Sequence, residues 1–187
     1  MTTSTKTVPA KTAADREKVR DTLLMRFNRR GGATRATADF QSFPPEQQQQ
    51  ILSSAQLAPE EIPVLLSLRD DHSWTLITIQ RVLWKNGLSV DSLKGNQLEA
   101  IVSPSTPTAD PKRILLSPAG LPLAVRVEST SGVIIDLPIE PDKLAYAAIH
   151  YVLTFILEAS QLKQPAKGAP AAQPAPAKPA PKKSWFK

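Results

Sequence analysis

Two periodicities divide this chain. Between Ala13 and Arg30, Val19, Leu23 and Phe27 recur at i, i+4 and i+8 with Leu24 beside them, which predicts a short amphipathic helix. Gly31-Gly32 stops it, and Arg26, Arg29 and Arg30 stand in its last turn, where cations complement the helix dipole. The same three arginines also admit a reading as a phosphate patch. After a loose stretch to Phe43, Pro44-Pro45-Glu46 opens a second helix that runs to about Gln56. Proline suits a first turn, and an acid is favoured there.

From Ile62 the period becomes two. Val64, Leu66 and Leu68 alternate, then Trp74, Leu76 and Thr78 after the turn-like Asp70-Asp71-His72-Ser73, and Val82 and Trp84 lead to Asn86-Gly87, a hairpin signal. Further strands are expected at 88–91, 97–102, 112–116, 121–128 and 133–138, with turns at Ser117-Pro118-Ala119-Gly120 and Ser129-Thr130-Ser131-Gly132. Short strands at this spacing predict an antiparallel sandwich or small barrel. A last helix follows from about Lys143 to Leu162, and Leu144 to Leu157 contains no charge except potentially His150. At ~1.5 Å per residue that apolar stretch is too short to span a bilayer, so protein must bury it. One face packs on the strands, and the surplus, Tyr146, His150, Leu153 and Leu157, is expected to face the second helix or a partner subunit in a homo-oligomer.

Four segments follow: a disordered arm over 1–12, a helical segment over 13–58, a β domain with its closing helix over 60–162, and a Pro/Ala/Lys tail over 163–187. Charge changes this picture. The formal +6 of the 187-residue chain divides into nine Lys/Arg against four Asp/Glu over 1–44, eight against thirteen over 45–162, and six against none over 163–187. An acidic core between basic arms repels polyanions at long range, so an acidic partner would meet an arm. Cysteine is absent, which excludes disulfides and thiolate metal sites. No secretory h-region and no membrane-length apolar run is present, so a soluble cytoplasmic protein is expected.

The run Asp71-His72-Ser73-Trp74-Thr75-Leu76-Ile77-Thr78-Ile79-Gln80-Arg81-Val82-Leu83-Trp84, then Val125-Arg126-Val127 through Gly132 to Leu137 and a terminal apolar helix, resembles bacterial pleckstrin-homology-like domains over roughly residues 60–160. The resemblance implies an α+β, mainly β fold: a bent antiparallel barrel of seven strands, plugged by the C-terminal helix and preceded here by two N-terminal helices. It carries no ligand across. Phosphoinositide-binding members rely on basic residues around the first hairpin, whereas Asp70 and Asp71 stand here. Exposed like charges at ~4 Å repel by ~1 kcal/mol even in water.

Asp70, Asp71 and His72 are the one cluster that mimics base or metal chemistry, but adjacent turn residues splay apart, and a turn is the plainer reading. His150 reads as a core or interface histidine. Trp74 and Trp84 read as wall residues rather than a ligand stack. No phosphate-binding glycine loop, nucleophile elbow or paired-His motif occurs, so no catalytic residue, metal or cofactor is expected. Trp185 and Phe186, beside Lys182 and Lys183, lie on a tail with no core to enter. They read either as a linear motif or weak membrane anchor or as a remnant. The expectation is a non-enzymatic protein-binding module, an adaptor or immunity-type protein whose acidic core meets a basic partner. Partner contacts are expected at Asp70, Asp71, His72, Lys182, Lys183, Trp185 and Phe186. The alternatives are membrane association through the tail and nucleic-acid binding through the arms.

Overall fold

The computed structural model describes residues 12–102, 117 and 119–162. The elements are α1 (Ala13–Asn28), β1 (Thr37–Asp39), α2 (Pro45–Ala55), β2 (Pro63–Leu68), β3 (Trp74–Thr78), β4 (Arg81–Asn86), β5 (Ser89–Lys94), β6 (Leu98–Val102), β7 (Ala124–Ser129), β8 (Ile134–Pro138) and α3 (Lys143–Gln161). The fold is mixed α+β and every strand pairing is antiparallel. β1 to β5 form one sheet in chain order and β6 to β8 form a second.

The described strands therefore number eight, in sheets of five and three, alongside three helices, rather than seven strands in one barrel. The expected strand at 112–116 and the arms at 1–11 and 163–187 lie outside the described residues. The unforeseen strand is β1, in the stretch that read as loose. It lacks an apolar alternation, and its pairing is set by a distant segment. Thr37 sits opposite Ser67, and their buried hydroxyls bond at 2.7 Å. The 13–58 segment contributes an edge strand to the first sheet and core residues to both sides of it.

Alternation sorts that sheet's side chains onto two covered faces. Leu66, Trp74, Leu76 and Leu83 pack with Phe40, Ile51 and Ala55, so α2 closes one face. Leu65, Ile77, Val82 and Leu93 face the larger core, shared with Leu23 and Phe27 of α1, Val125 and Val127 of β7, and Ile149 and Leu153 of α3. A register irregularity between Pro63 and Leu65 lets Val64 and Leu65 enter the same core in succession. With both faces covered, β2 is apolar at every position but Ser67. Thr75 Oγ1 donates to the Pro138 carbonyl at 2.6 Å, tying the two sheets together.

The helices begin where the chain supplies caps. Thr12 and Asp15 form a reciprocal capping box on α1, and Asp142 accepts from the N–H groups of Leu144 at 2.7 Å and Ala145 at 3.0 Å. α1 packs on α3 through Leu144, Tyr151 and Phe155, on a different side of the helix from the expected surplus of Tyr146, His150, Leu153 and Leu157. α1 and α3 run antiparallel, Arg26 lying on Tyr151 and Phe155 while Gly31 lies beside Leu144. Leu153 is fully buried, and Tyr146 and Leu157 pack partly against the same core. At the other end of α3, a Cβ on Gly95 would sit 3.0 Å from Ile156 Cγ2 and 3.1 Å from Ser160 Oγ, so the absence of a side chain lets the β5–β6 connection approach the helix.

Candidate functional site

Five segments converge on a half-open groove of about 1420 Å³: the first half of α1, the α2–β2 connection, the β3–β4 turn, the β5–β6 connection and the last turns of α3. Its floor is apolar, built from Val19, Leu23, Ile79, Phe155 and Ile156, and Lys18 and Lys94 stand among its lining residues.

One wall is an ion pair. Glu61 precedes β2, and Arg81 opens β4 after a two-residue turn. Arg81 Nε donates to Glu61 Oε1 at 2.9 Å and Nη2 to Oε2 at 3.0 Å, while the Thr78 hydroxyl donates to Oε1 at 2.7 Å. Thr78 Oγ1 also accepts from the Gln80 and Arg81 N–H groups at 3.2 and 3.0 Å, which shapes the turn. The Glu61 side chain is 2% exposed and that of Arg81 24%. Burial opposes ionisation of Glu61, but hydrogen bonds from Arg81 and Thr78 and the guanidinium charge outweigh it and hold the carboxyl below its usual range. A carboxylate with both oxygens engaged this way braces the groove wall and is poorly placed to take a proton from a bound molecule.

The residues singled out from sequence fall elsewhere. Asp70, Asp71 and His72 form the β2–β3 turn, at the opposite end of those strands from the groove. Asp71 accepts from the Ser73 N–H at 3.1 Å and also binds the Ser73 hydroxyl and Arg69, while His72 takes a left-handed φ of 63°. Partial burial opposes its charge, yet the Ser73 donors and Arg69 hold the Asp71 carboxyl below its usual range. The cluster is a self-bonded turn that leaves Asp70 and His72 exposed. Lys182, Lys183, Trp185 and Phe186 lie outside the described residues.

Trp74 and Trp84 belong to opposite faces of the sheet, so they cannot stack one ligand between them. His150 lies along α3 with its ring 5.8 Å from Tyr146, and burial lowers its pKa. Among the described residues no group of three His, Cys, Asp or Glu is placed to hold a metal, and no helix is long and apolar enough to cross a membrane.

Sequence reasoning missed Glu61 and the groove floor. Thr78 reads from sequence as a strand position, and the available signal for the site is the turn Thr78-Ile79-Gln80-Arg81 with a carboxylate just ahead of an apolar strand. The charge division also shifts. Because α1 belongs to the folded body, the described residues carry thirteen Lys/Arg against sixteen Asp/Glu, a milder imbalance than the 45–162 split implied. No family model, curated protein or solved structure matches this chain.

Proposed function

We propose that this protein is a non-catalytic protein-binding module on a pleckstrin-homology-like frame, of adaptor or immunity type, and that the groove between α1, α3 and the β3–β4 turn is where its partner docks. The observation that carries the reading is the groove itself: a preformed concavity with an apolar floor, whose buried charges are already paired with each other. Such a surface takes apolar or aromatic side chains of a partner without leaving a charge stranded. The antiparallel sheets and the closing helix α3 are compatible with that frame, while the described strands number eight, in sheets of five and three. The Asp70–His72 turn is the weaker partner site, since Asp71 is spent within it.

The test uses the full chain with and without Ala159→Arg, which fills the groove from a partly exposed helical position. Proteins retained from the source cells by each form are compared, and a candidate is then purified and titrated directly. A partner that binds the parent and loses at least tenfold in affinity on Ala159→Arg, with an unchanged circular dichroism spectrum, supports the proposal. Equal retention by both forms sinks it.

A further inference from the structure

At the other end of the α1–α3 pair the surface has a different character. Arg26 stands in the last turn of α1 and Arg29 and Arg30 follow its end, and none has a carboxylate within 4.0 Å among the described residues, whereas Arg69, Arg81 and Arg126 each have one and Arg20 has two. Aromatic rings of α3 hold two of the three. Arg26 Nη1 donates to the Tyr151 hydroxyl at 3.0 Å, its Cζ lies 4.7 Å from the Phe155 ring centroid, and Arg30 Cζ lies 4.7 Å from that of Tyr151. Arg26 Nε is buried without an acceptor. Arg29 and Arg30 are exposed, as are two large apolar side chains on the same helix pair, Met25 at 43% and Leu144 at 55%.

We propose that this outer face of the α1–α3 pair, centred on Arg26, Arg29, Arg30 and Tyr151 and flanked by Met25 and Leu144, is a contact surface for an anionic phospholipid bilayer. Three uncompensated guanidinium groups on a body with a net excess of carboxylates form a local positive patch, and stacking on Tyr151 and Phe155 lowers the entropy lost when two of them meet phosphate. Exposed apolar residues beside basic ones suit the boundary between headgroups and acyl chains. A nucleic acid would want a free aromatic face for its bases, but Arg30 already covers Tyr151.

Charge alone would suit an acidic peptide equally well; the exposed Met25 and Leu144 beside the arginines favour a bilayer, whose boundary between headgroups and acyl chains takes both kinds of side chain.

The test is co-sedimentation of the full chain with vesicles of phosphatidylcholine alone or with phosphatidylglycerol, at low and at physiological salt. Each basic residue near an anionic surface is worth about fivefold in partitioning, so Arg29→Gln/Arg30→Gln should lower binding to the anionic vesicles about 25-fold while leaving the thermal melt unchanged. A second form, with Lys163, Lys167, Lys178, Lys182, Lys183 and Lys187 all changed to Gln, removes the tail's share. It should keep binding that vanishes when the arginine pair is added to it. The inference is overturned if the full chain ignores anionic vesicles or binds neutral ones equally well. It is likewise overturned if the arginine pair leaves binding intact, or if the pair weakens retention of duplex DNA and not of vesicles.

Discussion

Replacing Glu61 by alanine should destabilise the protein by about 3 kcal/mol, and the reasoning rests on what is left behind. In the parent the carboxylate receives Arg81 Nε and Nη2 and the Thr78 hydroxyl. Once it is gone, the guanidinium keeps only Ser92 Oγ and the Gln56 carbonyl, both at 3.3 Å. Removing one member of a buried ion pair costs roughly 3–5 kcal/mol, chiefly through the uncompensated charge. The 24% exposure of Arg81 allows some rehydration and places the value at the lower end. Arg81→Ala strands a carboxylate that is itself only 2% exposed, so it should cost at least as much.

The double variant strands nothing. It should therefore cost little more than the worse single variant, giving a coupling of about 2 kcal/mol or more. Equilibrium urea unfolding at pH 7, followed by circular dichroism with the m-value checked for constancy, measures all four corners. A coupling below about 0.5 kcal/mol would falsify the claim that the pair acts as a unit. The acid limb offers a separate check. The folded carboxyl titrates lower than the unfolded one, so its contribution is complete above the ordinary value of 4.5 and is lost as pH falls through the lowered folded value. Glu61→Gln should remove that part of the acid dependence.

Three further outcomes follow from local geometry. His72→Gly relieves a left-handed backbone at φ 63° and should raise stability by about 1 kcal/mol; a fall in the melting temperature would mean the imidazole makes a contact that the turn reading omits. Gly95→Ala places a Cβ 3.0 Å from Ile156 Cγ2 and should cost roughly 1–3 kcal/mol by urea unfolding, and a neutral result would show that α3 can back away from the β5–β6 connection. Burial lowers the His150 pKa below its ordinary 6.5, so the unfolded chain takes up that proton first and stability falls as pH drops from 6.5 toward the folded value. His150→Gln should flatten this stretch of the stability–pH curve, and an unchanged slope would assign it to another group.

The strands from Trp74 to Trp84 were legible because alternation is local, and the Asn86-Gly87 hairpin because Gly87 supplies the positive φ that its turn uses; the alternation read through Val64, Leu66 and Leu68 is not one face, since Val64 enters the core with Leu65 while Leu66 and Leu68 pack on the other side. The uncharged stretch of α3 signalled burial by protein, which holds for Ala145, Ala148, Ile149, Val152 and Leu153 but not for Leu144, which is exposed. Which protein was not legible, because α1 and α3 come together from opposite ends of the described fold. β1 was hidden for a related reason: Thr37-Ala38-Asp39 has no strand periodicity, and only the Ser67 hydroxyl and the β2 backbone make it one. The groove escaped notice altogether, since its floor draws on residues as distant as Val19 and Ile156 and its wall on a carboxylate and a guanidinium twenty positions apart. Local pattern reports periodicity, whereas concavity belongs to the assembled molecule.

The packing of α1 on α3 also bears on how the protein is made. Leu23 and Phe27 leave the ribosome early, yet the helix that buries them is encoded more than a hundred residues later. At about 5–20 residues per second, the nascent chain carries those side chains uncovered for on the order of ten seconds before their cover exists. Over that interval the amino-terminal helix is a natural client for a holding chaperone.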